Sequence, residues 1–334
     1  MSYFIQKFGI SLVTLIVVGS LCFLLTKAAG EEAAFGEKNP SPEVRAAISK
    51  QWLLDRPLSE QYLAHMKKLI QLDSMPSRKQ KGRTLRDVLR EHLPQSLSLG
   101  VRALIVAVTL GVPIGAFCAV NHNRLPDNAG TFLALMGVSV PSFVLATFAL
   151  VVLSREWPIF GMKIGPMPAI QWYDPSTWAV ELAEKSPTWL KGIIIELGRV
   201  RLWIPAMCLG AFPFAAVLRL TRSSMLEALR QDYVRTARAK GVAAWKVVGR
   251  HALRNALTPV VTFLGPVSAG VLTGSLVIEK VFQISGIGQF FVESVNNRDL
   301  PLIMGLTFFY SALLITMNLL VDAIYPLLNP RLRG

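Results

Sequence analysis

Long apolar runs recur along this chain at intervals, separated by segments dense in charge. A hydrocarbon layer of about 30 Å takes about 20 predominantly apolar residues in a helix. Six segments reach that length: Phe8 to Thr26, Leu97 to Val120, Gly130 to Leu153, Ile204 to Leu220, Leu257 to Ile278 and Leu302 to Leu328, the last interrupted by Asn318 and Asp322. The first run follows Lys7 and precedes Lys27-Ala28-Ala29-Gly30, a flank that a cleaved leader would also show. Its apolar stretch is longer than the ~7–15 residues of a secretory signal core, so it reads as a retained anchor. The pattern therefore predicts an all-α polytopic membrane protein with six transmembrane helices.

The polar segments carry their own element signals. Ser41-Pro42-Glu43 places a capping residue before Pro at the first helical position, and Ser59-Glu60 after Pro57 repeats the theme. Two short helices are predicted near 42–54 and 59–72, forming a small extracytoplasmic helical subdomain after the first span. The charged run Arg78 to Arg90 leads into an amphipathic approach to span two, with Val88, Leu89 and Leu93 on one side and Arg86, Arg90 and Glu91 on the other. The chain then divides into an anchor (1–29), the extracytoplasmic subdomain with its approach helix (30–96), a five-helix core (97–328) with a cytoplasmic loop at 219–256, and a tail (329–334). Between spans three and four lie Trp157, Trp172, Trp178, Trp189 and Trp203, five of the seven tryptophans. Tryptophan favours the membrane–water interface, so this stretch is expected along the outer headgroup layer, with substrate stacking as the sharper alternative.

Composition agrees with the membrane reading. Hydrophobic residues make up 52% and charged residues 17%, and the mean hydropathy is +0.44. Soluble domains carry about 25% charged residues, and disordered chains are less apolar. The net charge is nonetheless +14. Nine of the 35 basic residues fall between Arg219 and Arg254, against two acids, Glu227 and Asp232. Short basic loops stay in the cytoplasm, so this loop and, with six spans, both termini are expected there. The segment from Gly30 to Ser96 carries twelve basic and nine acidic residues yet falls outside; long loops cross largely regardless of charge. The basicity is thus a topological signal, and no nucleic-acid partner is needed to explain it. Cys22, Cys118 and Cys208 sit inside apolar runs without CxxC spacing and read as small hydrophobes, with no metal site implied.

The chemistry that is missing narrows the function. No Gly-Lys dipeptide occurs, which excludes a GxxxxGK[ST] phosphate loop, and neither HExxH nor GxSxG is present. His65, His92, His122 and His251 are scattered. Only Asp322 places an acid inside a span, whereas ion-driven transporters use ionisable groups at mid-membrane. Any energy used must come from elsewhere.

The cytoplasmic loop is the informative segment. Leu226, Leu229, Tyr233 and Ala237 recur at 3, 4 and 4 residues, one helical face, while Glu227, Arg230, Asp232, Arg235 and Arg238 fall elsewhere. Gly241 then ends the helix as a left-handed cap, and helix restarts at Ala243. Small residues at Ala237, Ala239 and Gly241 would let a partner's groove approach the backbone. On residue chemistry alone this helix-glycine-helix is either a docking knob or a solvated basic loop that fixes topology.

The run from Asp232 to Gly241, DYVRTARAKG, continued by RHALRNALTP from Arg250 to Pro259, resembles the cytoplasmic signature of bacterial ABC importer permeases. Specifically it resembles the first-permease family of dipeptide, oligopeptide and nickel systems. The outer segment LDRPLSEQYL from Leu54 to Leu63, GVSVPSF from Gly137 to Phe143, NLLVDAIY from Asn318 to Tyr325 and NPRLR from Asn329 to Arg333 are similar to other parts of that family. Two departures stand out: Arg235-Thr236-Ala237 where the general importer signature has Glu-Ala-Ala, and Ser285 where a Pro is usual.

The resemblance implies a type I ABC importer permease fold in the bacterial cytoplasmic (inner) membrane and a subunit that is not an enzyme. It also implies a second related permease in a heterodimeric pair, two cytoplasmic ATPases that hold ATP and Mg, and an extracytoplasmic substrate-binding protein. ATPase coupling would rest on Tyr233, Arg235, Thr236, Ala237, Arg238, Ala239, Lys240 and Gly241. Candidates to line the pathway are Ser139, Ser142, Ser268, Thr273 and Ser275, each of which can equally hydrogen-bond its own helix. A peptide is the expected substrate, with nickel or another small solute second. A non-energised receptor or scaffold using 30–96 is the alternative from another class.

Overall fold

The computed structural model describes residues 2–28, 42–51, 53–72, 83–153, 157–159, 162–164, 177–187, 190–192, 195, 199 and 202–328. The elements in order are α1 (Ser2–Ala28), α2 (Pro42–Gln51), α3 (Leu58–Ile70), α4 (Leu85–Val120), α5 (Leu125–Ser139), α6 (Ser142–Leu153), the strands β1 (Trp157–Ile159) and β2 (Met162–Ile164), α7 (Thr177–Glu184), α8 (Trp203–Leu229), α9 (Asp232–Ala239), α10 (Ala244–Lys246), a π-helical turn (Val247–Ala252), α11 (Leu253–Leu272), α12 (Leu276–Val281), α13 (Ile287–Asn296) and α14 (Leu300–Leu328). The two strands form an antiparallel hairpin with Trp157 opposite Ile164. Among the described residues, five helices are long and apolar enough to cross a membrane, or six if the bent pair α5 and α6 is one span.

Five of the six expected spans are single helices, the third expected span is a bent pair, and three of the six differ from expectation in an instructive way. Span three is broken: α5 and α6 meet at 101°. Pro141 has no N–H to continue the helix and forces the preceding residue out of the α region, and Val140 accordingly lies at φ −89° and ψ 119°. Span two and its amphipathic approach are one helix of 36 residues. Thr84 and Asp87 cap it reciprocally, the Thr84 amide donating to Asp87 at 2.9 Å and the Asp87 amide to Thr84 Oγ1 at 3.4 Å. Span five stops at Leu272, six residues before the expected end, because the chain turns at Gly274 with φ +86°. The two short helices after α1 form at Pro42–Gln51 and Leu58–Ile70, close to the expected 42–54 and 59–72. Of the tryptophans expected in the outer headgroup layer, Trp172 and Trp189 lie outside the described residues, as does the tail 329–334.

The chain divides into two compact units, Met1–Pro94 with Gln289–Leu319, and Gln95–Gly288 with Leu320–Gly334. In the first, α3 packs on α1. A Cβ at Gly19 would fall 2.7 Å from Met66 Sδ, the Ser20 hydroxyl meets the Tyr62 hydroxyl at 2.8 Å, and Phe23 stands edge-on to Tyr62 and beside His65 at 5.4 and 5.6 Å. Lys27 Nζ donates to Gln61 Oε1, and Gln61 in turn donates to the Arg56 carbonyl at 2.6 Å. These polar contacts are what give the anchor helix a defined partner, because a uniformly apolar helix has no preferred face for docking.

In the second unit α8 is central. Leu99 and Ala103 of α4, Ala146 of α6, Ala206 and Cys208 of α8, Val271 of α11 and Ile278 of α12 share one buried cluster with Phe282 and Ile284. Glycines bring backbones together in the small-residue manner of membrane helices. A Cβ at Gly100 would lie 2.6 Å from the Val271 carbonyl oxygen, and one at Gly210 would lie 2.8 Å from that of Ala103.

Candidate functional site

The segment that follows α8 is built to present a short helix outward. α8 ends when the Arg230 and Gln231 amides bond back to Glu227 and Ala228 at 3.2 Å, and Gln231 takes an extended conformation. α9 restarts at Asp232, whose charge suits the positive end of the helix dipole, and carries Arg238 in its last turn, where a cation suits the negative end. Its C-terminus is a complete Schellman cap: the Val242 amide reaches the Ala237 carbonyl at 3.2 Å, the Gly241 amide reaches that of Arg238 at 3.0 Å, and Gly241 sits at φ +74°.

One face of α9 is sealed. Val234 is 0% exposed and Ala237 8%, and they join Ala116 and Ala119 of α4, Met225 and Ala228 of α8, and Val247, Ala252 and Ala256 in one apolar cluster. Leu226, Leu229 and Val242 pack against that cluster. This alters the expected face. The break at Arg230–Gln231 means that 226–237 is not one helix, so the anchor of α9 is Val234, while Tyr233 is 39% exposed. Ala237, expected on the approach surface, points inward. Tyr233, Arg235, Thr236, Arg238, Ala239, Lys240 and Gly241 are exposed together.

That exposed face is strongly cationic. Arg235 reaches Asp232 at 3.5 Å, but both side chains are open to solvent, 74% and 95%, so the pair adds little rigidity. Beyond the cap, Trp245 is 73% exposed, with Lys246 Nζ over its ring at 5.3 Å. Trp245, Lys246, Gly249, Arg250 and Arg254 line a shallow pocket beside the π-helical turn.

Three of the candidate pathway residues make hydrogen bonds local to their own helix or cap. Ser268 Oγ donates to the Gly265 carbonyl at 2.8 Å and Thr273 Oγ1 to that of Gly270 at 3.0 Å. Ser275 caps α12, accepting from the Ile278 amide at 3.5 Å. Ser139 and Ser142 flank the bend at Val140–Pro141, Ser139 exposed and Ser142 half-buried.

Among the described residues three acids are buried, Asp127, Glu279 and Asp299, and none of them falls inside an expected span. Glu279, one residue past the expected end of span five, is 0% exposed. Ser96 Oγ donates to its carboxylate at 2.7 Å and accepts from the Ile287 amide at 2.8 Å. Gly274, Gly286 and Gly288 wall that carboxylate so closely that a Cβ at either of the first two would strike it. Asp127, 1% exposed at the start of α5, forms a two-toothed ion pair with Arg222 of α8. The local signal for Glu279 was the trio of glycines around it; Asp127 had none.

Residues 111–334 match the family model described as "Binding-protein-dependent transport system inner membrane component". The chain belongs to this family. It is 38% identical over 331 residues to a dipeptide transport system permease protein, DppB, of Bacillus subtilis, covering 99% of this chain and 97% of that one. The oligopeptide transport system permease protein OppB of Haemophilus influenzae is 33% identical over 323 residues, 97% and 96% of the two chains. DppB of Lactococcus lactis subsp. cremoris is 33% identical over 331 residues, 99% of each. The family is one of transport permeases rather than catalytic enzymes, and its fold is the type I ABC permease fold.

Proposed function

We propose that this chain is a transmembrane permease subunit of an ATP-binding-cassette importer for di- or oligopeptides. It forms half of the translocation pathway beside a second related permease, and it takes its power from two cytoplasmic ATPases that hold ATP and Mg. An extracytoplasmic binding protein delivers the peptide. The observation that carries this reading is the near full-length similarity to permeases named for dipeptide and oligopeptide transport. The geometry supports it: α9 is short, sealed on one face, open and cationic on the other, and joined to the long helix α8 by a two-residue break. Such a knob turns ATPase closure into rigid-body rocking of the spans. Both termini and the α8–α9 corner then lie on the cytoplasmic side.

Deletion of the gene, with complementation, tests the substrate. Uptake of labelled di- or oligopeptide is expected to disappear and return with the gene. Unchanged peptide uptake together with loss of labelled nickel uptake would reassign the substrate, and loss of neither would return the receptor or scaffold reading. Co-purification of an ATPase that depends on residues 225–254 tests the coupling.

A further inference from the structure

The cytoplasmic docking helix explains how force enters the chain, but not how it reaches spans two and three together. Arg222 lies on α8, seven residues before that helix ends at Leu229. Its Nη2 donates to Asp127 Oδ2 at 2.8 Å and its Nε donates to Oδ1. The same carboxylate accepts from the Asn123 amide at 2.9 Å and meets His122 Nδ1 at 3.1 Å. His122 Nδ1 is also 3.4 Å from Arg222 Nη2. Asn123 holds φ +60°, the left-handed conformation that aims its amide at Asp127. One buried carboxylate therefore ties the 121–124 turn, the start of α5 and the shaft of α8.

Around this knot the backbones leave no soft layer. A Cβ at Gly115 of α4 would fall 2.6 Å from the Leu218 carbonyl oxygen of α8, one at Gly137 of α5 would fall 2.9 Å from that of Ala211, and one at Gly130 would strike Cys118. The last turns of the same shaft, through Met225 and Ala228, share an apolar cluster with Val234 and Ala237 of α9. Replacing a buried ion pair by apolar residues is commonly neutral or stabilising, whereas its forked hydrogen bonds select one geometry. An arrangement of this kind specifies position more than it adds stability.

We propose that the Asp127–Arg222 pair is a positioning element of the coupling machinery, fastening the α4–α5 turn to α8 so that displacement of α9 moves α4, α5 and α8 as one body. The clamp rests on the importer reading for its transport consequence, though its mechanical part stands without it.

Two measurements test it. In the isolated full chain, spin labels at Arg124 and Arg238, both exposed, report the distance from the turn to α9. The native cysteines are buried and resist labelling. The distribution is expected to be narrow in the parent and clearly broadened in Asp127→Asn. An equally narrow distribution in that variant overturns the clamp whether or not the chain imports peptides. In the reconstituted importer with its partners, Asp127→Asn is expected to assemble normally but to lower peptide imported per ATP hydrolysed by about tenfold, within the usual range of coupling between sites. Arg222→Lys, which keeps the charge and loses the fork, is expected to fall between parent and Asp127→Asn. Parental stoichiometry in both variants overturns the positioning role. So does reduced assembly with unchanged peptide per ATP, which marks a purely structural pair. A parent complex that imports no peptide at all, while the label distances still broaden in Asp127→Asn, overturns the function reading and leaves the clamp supported.

Discussion

Among the described residues the chain turns twice on a glycine in the left-handed region, and the two corners differ in what surrounds them. At Gly241, φ +74°, a Cβ would meet nothing within 4 Å. At Gly274, φ +86°, it would strike the Glu279 carboxylate and come within 2.8 Å of Ser96 Oγ. The first glycine is required only by conformation, the second by conformation and by space. Open space at the first corner is what a docking surface needs; the filled space at the second is what a buried polar network needs. Glycine alone therefore does not report function, and its neighbours decide.

The comparison breaks most sharply at the filled corner. Gly274→Ala is expected to lose folded protein. A left-handed non-glycine residue costs about 1–2 kcal/mol, and displacing a buried carboxylate from its hydrogen bonds adds about 1–3 kcal/mol or more. Protease resistance in membranes measures this, and near-parental resistance would show that the knot yields easily. At the open corner the expectation is inverted. Gly241→Trp is expected to insert and fold, at the cost of about 1–2 kcal/mol for a left-handed non-glycine residue, while abolishing uptake and ATPase docking, because it fills the approach to the cap from outside. Normal whole-cell uptake by that variant would remove α9 from the coupling role. Gly241→Ala sharpens the contrast, since it adds strain without bulk. A loss of about 1 kcal/mol in thermal unfolding, with uptake largely retained, is the expected result.

The smallest effect is a control away from both corners. His65 lies against Phe23 on the α1–α3 contact, and its Nε2 is buried with no hydrogen-bond partner among the described residues. Burial, with Lys68 nearby, pushes its pKa down to about 4 from 6.5. A folded pKa below the unfolded one means that the unfolded state takes up the proton first. The packing of α3 on α1 should thus be indifferent to pH above about 6.5, weaken as pH falls from about 6.5 to about 4, and level off below. Hydrogen exchange of α3 at pH 7 and 4.5 reads this, and His65→Leu should flatten the response without touching either glycine corner.

Much of this protein was legible along the chain because its rules are local. Apolar runs of span length, the proline-led starts of α2 and α3, and the glycine cap after α9 each depend on residues within a turn or two of one another. The bend between α5 and α6 was written in Val140-Pro141 and read through as continuous apolar helix, since hydropathy averages over a proline. The face of α9 was misassigned by one position. Periodicity carried Leu226 and Leu229 straight on to Tyr233, whereas the break at Arg230–Gln231 resets the helical phase and buries Val234. Of the residues proposed for docking, the exposed arginines and Lys240 were visible as a basic loop, but Ala237 anchors the helix inward.

What the amino-acid order determined by itself was the membrane class, the apolar runs that become long helices and the glycine-capped helix α9, since hydrophobic length, charge bias and glycine act over short range. Only the tertiary structure decided which charges are buried. Asp127 finds Arg222 across 95 positions and Glu279 finds Ser96 across 183, and no periodic pattern links residues so far apart. A buried carboxylate is tolerable only where donors converge on it, and it is the close packing of α4, α5, α8 and α12 within one unit that brings them there.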